Sequence, residues 1–326
     1  MTERPHALVV GGGGLLGSHV LGALRAEGIP AVGVPVPWSH HDAARAALRQ
    51  SFEDIAARAA GGPIDVLWCA GAGVVATPRE ALEAEVLLFR EILDDLAEVL
   101  PANSDLAFFL ASSAGGVYAG SVRPPFTEET VPKPLTPYGE AKLAMEHALL
   151  ERLDHLAGVA LIGRLANLYG PGQDLSKPQG LMSRLCVVHL TGEPLAVRVS
   201  LDTIRDYLYV EDCADMVVAG LAGLRERAET TGERSVVKVM ATGQGTTVAQ
   251  LIGESNRIFH RRARMSVISG SAHGQVRDLR LRSVVWPELQ RHIRTPLPAG
   301  FHRTADDVAG KVFSGALVES NRKGAR

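Results

Sequence analysis

Tyr138 and Lys142 stand four residues apart in Pro137-Tyr138-Gly139-Glu140-Ala141-Lys142, and an apolar Ala7-Leu8-Val9-Val10 runs straight into Gly11-Gly12-Gly13-Gly14-Leu15-Leu16-Gly17. On a helix, positions i and i+4 share one face, so the Lys142 ammonium can lie near the Tyr138 phenol and favour its ionised form. Such a phenol is a usable general base near neutral pH. The glycine turn follows a strand-like run and precedes the amphipathic stretch Ser18 to Glu27, closed by Gly28, which is the order a dinucleotide-binding turn requires. Each motif alone is weak, but in this order they point to nicotinamide chemistry on a Rossmann-type sheet.

The elements that must position these groups alternate along the chain. Apolar, β-rich runs at Ala7–Val10, Ala31–Val36, Val66–Cys69, Leu106–Ala111 and Val159–Ile162 each precede a helical stretch. That alternation predicts an α/β fold, a doubly wound parallel sheet with helices on both faces. Thr77–Leu100 and Tyr138–Leu156 read as long helices. From Pro171 the pattern turns irregular and richer in Gly and Pro, marking a smaller second lobe. We therefore expect a dinucleotide-binding domain over 1–175, with returns from about 203–245, and a substrate-binding lobe over 176–326. Between Val36 and Ile64, where a doubly wound fold needs helix, strand and helix, there is room for one Ala- and Arg-rich helix, Asp42 to Ala60. The third strand is expected to be reduced or missing, and as an edge strand its loss leaves the core closed.

Composition narrows the class. The 326 residues are 46% hydrophobic and 21% charged with a net charge of −2, which gives neither a nucleic-acid footprint nor an acidic tail. No run approaches bilayer length and the first residues lack a signal peptide's apolar segment, so a cytoplasmic protein is expected. Cys69, Cys186 and Cys213 are scattered without metal-site spacing and suit buried, reduced thiols. His40-His41 has no accompanying Cys or carboxylate cluster, so no metal is expected. The cations Arg257, Arg261, Arg262 and Arg264 read as charges at a helix C-terminus. The polar stretch Val318 to Arg326 reads as a frayed end.

The whole set of motifs resembles the extended short-chain dehydrogenase/reductases, the superfamily of NAD-dependent nucleotide-sugar epimerases and dehydratases that includes UDP-galactose 4-epimerase. Beyond Gly11, Gly14, Gly17 and the Tyr138/Lys142 pair, the resemblance rests on Cys69-Ala70-Gly71, Ser112-Ser113-Ala114-Gly115-Gly116-Val117-Tyr118, Arg164 to Gly172, and Arg205-Asp206-Tyr207-Leu208-Tyr209-Val210-Glu211-Asp212. It implies cofactor contacts from Gly11, Gly14, Leu15, Leu16, Gly17, Cys69, Ala70, Gly71, Ser112, Tyr138, Lys142 and Leu165. It also implies a substrate subsite of Asn167, Leu181, Arg198 and Arg205, with Asn167 and Arg205 on the nucleotide-sugar diphosphate. The alternative for Arg205 is an ion pair with Asp202 or Asp206. A homodimer through the two long helices is implied as well.

The departures are informative. The acid that ends the second strand in the epimerases is replaced by Val34-Pro35-Val36-Pro37-Trp38, and this leaves NAD versus NADP open. Arg198 stands where an aromatic residue packs on the base. Ala114 falls at the usual catalytic Ser position, with Ser113 one residue upstream and Ser112 next to it. Gly115 and Gly116 replace the acids that mark dehydratase and decarboxylase branches. The expected activity is epimerisation of a nucleotide sugar, at C4, through a transient keto-sugar, with Ser113, Tyr138 and Lys142 as the catalytic groups. A keto-sugar reductase of the same fold and a non-catalytic dinucleotide sensor or scaffold are the rival readings.

Overall fold

Short apolar runs without polar alternation suit strands buried on both faces, and the chain builds its main sheet around five of them plus a sixth contributed later. In the computed structural model, residues 4–71, 73, 77–101, 104–177, 180–267 and 276–314 are described; the end segment Val318 to Arg326 lies outside the described residues. The elements are β1 (His6–Val10), α1 (Leu15–Ala26), β2 (Ala31–Val34), α2 (His41–Ala59), β3 (Ile64–Trp68), α3 (Arg79–Val99), β4 (Leu106–Ser113), α4 (Ala114–Val117) and α5 (Pro137–Leu156). They continue with β5 (Val159–Leu165), β6 (Asn167–Tyr169), α6 (Leu181–Thr191), β7 (Leu195–Val197), β8 (Ile204–Tyr209), α7 (Val210–Thr231) and β9 (Ser235–Met240). The last are β10 (Gly245–Thr247), α8 (Val248–Ile258), β11 (Met265–Val267), β12 (Asp278–Leu279), a 3-10 turn (Pro287–His292) and α9 (Leu297–Phe313).

The main sheet is parallel, in the order β2-β1-β3-β4-β5-β9. One face is covered by α1 and α7, the other by α2, α3 and α5. This is the doubly wound sheet expected from the sequence. No strand lies between Val34 and Ile64, so the third strand of the usual order is missing and α2 alone bridges β2 to β3. Strand β2 is two residues shorter than predicted because Pro35 offers no N–H to the ladder.

Helix α2 compensates for the lost strand by leaning on α3. Asp95, almost wholly buried, accepts from Arg45 Nε at 2.7 Å and from Arg49 at 3.0 Å, and its carboxyl is held below the ordinary range chiefly by the Arg45 hydrogen bond. His41 adds a hydrogen bond to Glu91 at 2.7 Å, so this histidine ties two helices together. Trp38 sits just past β2 with its ring edge-on to Trp68 at 6.2 Å, and Trp68 meets Phe89 at 4.9 Å.

A third core joins Met182, Leu185 and Cys186 of α6, Tyr207 and Tyr209 of β8, Leu251 of α8 and Phe301 of α9. Helix α8 begins with a reciprocal cap, Thr247 accepting from Gln250 N and Gln250 Oε1 accepting from Thr247 N. Near its end Arg257 bonds Glu254 at 3.0 Å. Cys69, Cys186 and Cys213 are free thiols, and burial pushes the Cys186 thiol up to about 12.

Lys238 is fully buried in β9, where it donates to Ser283 Oγ at 2.5 Å and to Val285 O at 2.8 Å, while Ser283 donates to Glu128 Oε1 at 2.5 Å. Desolvation lowers its pKa from 10.5 to about 8. Below pH 8 both folded and unfolded chains hold the proton and burial of the ammonium opposes folding. Between about 8 and 10.5 the unfolded chain binds more protons, so stability rises with pH there. A tenfold difference in proton affinity corresponds to about 1.4 kcal/mol. Thermal melts of wild type should therefore gain stability relative to Lys238→Met across that window; parallel melting curves would contradict this.

Candidate active site

The C-terminal ends of β1, β3, β4 and β5 carry the predicted groups, because open α/β sheets leave their strand ends free to meet a ligand. Gly11 turns the chain at φ +85, and a Cβ there would sit 2.6 Å from the Ala70 nitrogen. A Cβ at Gly17 would sit 2.2 Å from the Gly11 carbonyl oxygen. Both positions therefore exclude any side chain. Gly14 caps α1 without a side-chain bond, and the first-turn amides of Leu15, Leu16 and Gly17 meet no acceptor among the described residues. Unpaired N–H groups at a helix start suit an anionic diphosphate, so this turn fits a dinucleotide.

Contacts lead from that turn to Tyr138. The turn at Ala70 and Gly71 lies against Lys142, whose Nζ is 3.0 Å from where a Gly71 Cβ would be. Lys142 is buried, and its Nζ lies 6.0 Å from the Tyr138 ring centroid, as the i, i+4 spacing on α5 predicts. The Tyr138 ring in turn lies 3.2 Å from a Cβ built at Gly116, and a Cβ at Gly139 would collide with the Gly116 carbonyl at 2.3 Å. Gly116 and Gly139 let α4 and the start of α5 touch, which brings the serine loop to the phenol.

The two serines have different partners. Ser112 is buried and donates its hydroxyl to Glu146. Glu146 also accepts from Arg164, with Nη2 at 2.7 Å, and Arg164 Nη1 donates to the Tyr118 hydroxyl at 2.7 Å. Ser113, half-buried, accepts from Gly116 N at 3.1 Å as the cap of α4. Its own proton stays available to another acceptor. Leu165 is the register partner of Ser113 at the end of β5. Cys69 ends the β3 turn, its thiol pushed up by burial.

Asn167 opens β6 opposite Tyr207 of β8, two residues from Arg205. Among the described residues the Arg205 guanidinium makes one hydrogen bond, to Ile204 O at 2.8 Å, and no carboxylate lies within ion-pair distance, Asp278 acting on it from farther away. Both anticipated partners are engaged elsewhere. Asp202 pairs with Arg277, and Asp206 accepts from Thr242 N at 2.8 Å and Thr242 Oγ1 at 2.9 Å. Burial raises Asp206 to about 6 and pushes the Arg205 guanidinium below its ordinary value. A largely desolvated, unpaired cation is a ready anion site. Leu181 starts α6 behind Gly180. Arg198 lies exposed just past β7, and no hydrogen bond or ion pair among the described residues joins it to this group.

The Ser112–Glu146–Arg164–Tyr118 network was not foreseen. Its signal was present: an Arg inside the apolar strand β5 and a Glu four residues after Lys142 both demand buried partners.

Comparison with known proteins agrees with this geometry. The model of the NAD dependent epimerase/dehydratase family matches residues 7–231. A UDP-glucose 4-epimerase of Azospirillum brasilense is 30% identical over 77% of this chain and 78% of its own. A dTDP-4-dehydro-6-deoxyglucose reductase of Escherichia coli is 26% identical over 53% of this chain and 49% of its own. The structure of a UDP-glucose 4-epimerase of Thermotoga maritima with UDP-glucose superposes with a TM-score of 0.76 at 23% identity, covering 94% of this chain and 99% of that one. With the family model spanning more than half of the sequence, the chain belongs to the NAD dependent epimerase/dehydratase family.

Proposed function

We propose that this protein epimerises a nucleotide sugar at C4, working through a keto-sugar with NAD retained between turnovers. The observation that carries the proposal is the unbroken run of contacts from the Gly11–Gly17 turn through Gly71 and Lys142 to Tyr138 and on to Gly116. The Gly11–Gly17 turn and Lys142 would hold NAD, which would supply a reversible hydride acceptor for the carbinol carbon. Tyr138 accepts the hydroxyl proton as the carbonyl forms and gives it back when the carbonyl is reduced. Lys142 stands beside that phenol and would hold the cofactor ribose.

Ser113 donates to the reacting oxygen. Its supporting feature is that among the described residues its hydroxyl accepts from Gly116 N and donates to none, whereas the Ser112 proton is spent on Glu146. Asn167 and Arg205 hold the diphosphate, with Leu181 and Arg198 toward the base; an unpaired guanidinium matches phosphate in charge and fork geometry. Gly115 and Gly116 leave no carboxylate in the loop for elimination, which favours epimerisation over dehydration. Three free thiols support a reducing, cytoplasmic compartment. We also propose a homodimer through α3 and α5, whose outer faces carry Leu87 at 53% exposure and Leu150 at 36%.

Tyr138→Phe removes the proton acceptor and spares the diphosphate contacts, so turnover of UDP-sugars should collapse while calorimetric binding of the nucleotide sugar stays within a few-fold; normal turnover would remove Tyr138 from the mechanism. NADH consumed in proportion to product would instead indicate a reductase.

Ser113→Ala should lower single-turnover hydride transfer by about two orders of magnitude, the usual loss for one donor at a reacting oxygen. Ser112→Ala should act mainly on stability, costing about 1–3 kcal/mol because buried Glu146 loses a donor. A selective kinetic loss in the Ser112 variant would transfer the role.

Sedimentation at micromolar concentration should give a dimer, and Leu87→Arg should give a monomer; a monomeric wild type would contradict the α3–α5 interface.

A further inference from the structure

Glu85 of α3 points its carboxylate into the same turn. Its Oε1 lies 3.6 Å from Lys142 Nζ, with side-chain exposures of 21% for Glu85 and 7% for Lys142. A Cβ at Gly73 would be 3.5 Å from Glu85 Oε2 and 3.5 Å from Tyr138 Cδ2, so Glu85, Lys142 and Tyr138 converge on the residues following β3. Among the described residues Glu85 is the carboxylate in ion-pair contact with Lys142. The nearby Arg79 and Glu140, on the same two helices, are exposed and paired with each other at 2.8 Å.

We infer that Glu85 is a positioning residue which holds Lys142 and, by balancing its charge, biases bound NAD toward the oxidised form. This rests on the dinucleotide reading of the site. The oxidised nicotinamide ring carries a positive charge that the reduced ring lacks, so an uncompensated Lys142 ammonium beside it would disfavour the oxidised state selectively. A carboxylate in partly desolvated contact removes that repulsion. In an epimerase this keeps the resting cofactor ready to accept hydride and favours its return to the keto-sugar before that intermediate escapes.

The test is the reduction potential of the nicotinamide bound to the full chain, poised against mediator couples and read by the near-ultraviolet absorbance of the reduced ring. Glu85→Gln should weaken oxidised relative to reduced binding about tenfold, which raises the potential by about 30 mV for this two-electron couple. Glu85→Asp, which keeps the charge, should stay near wild type. If Glu85→Gln does not fold, Glu85→Gln/Lys142→Met, which removes both members of the pair, should keep a potential near wild type and above that of Lys142→Met, where the carboxylate is left unbalanced. An unchanged potential, or equal weakening of both forms, overturns the inference and leaves the proposed function intact. A wild-type chain that binds no nicotinamide overturns both.

Discussion

The buried carboxylate of Glu146 is the point on which the geometry of the candidate site depends. It sits one helical turn after Lys142 on α5, accepts from Arg164 of β5 and from Ser112 of β4, and through Arg164 reaches the hydroxyl of Tyr118 at the end of α4. Four elements, β4, α4, α5 and β5, are thus fixed to one another in a region closed to water. Breaking one partner of such a pair costs about 3–5 kcal/mol because the other charge stays buried. The network ties β4, which ends in Ser113, to α5, which carries Tyr138, through buried groups of both elements.

Close backbone contact is the second constraint. Where Gly17 meets Gly11, Gly11 meets Ala70, and Gly139 meets Gly116, the chain approaches itself at distances that a single Cβ would forbid. The glycine turn does more than expose amides to a diphosphate. It lets β1, α1 and the end of β3 close together so that Gly71 can receive Lys142. Gly116 has the same use beside Tyr138.

At the adenosine end the protein is trimmed. With no third strand, α2 is fastened to α3 by Arg45 and Arg49 on Asp95, and Trp38 covers Trp68 at the sheet corner. An edge strand contributes one ladder to the sheet, and three charge-assisted bonds on a buried carboxylate together with aromatic packing replace its anchoring role. The prolines around Val36 stop β2 early and carry the chain directly into that cover.

The sequence by itself determined the parallel sheet, the missing strand, the glycine turn and the Tyr138–Lys142 pair, because each is a local matter of period, length or i, i+4 spacing. The residues around Arg205 could be read as far as their types. Whether a carboxylate would pair with it could not, since Asp202 and Asp206 both lie within three residues and their engagement fell to Arg277 and Thr242, far along the chain. The same holds for the serines: adjacent in sequence, they point to opposite sides of β4, so one is buried on Glu146 while the other caps α4. Glu85 likewise had no local signal, for its meaning lies in the packing of α3 against α5. Spacing fixes what one element presents; only the packed arrangement decides which charge is neutralised and which is left for a ligand.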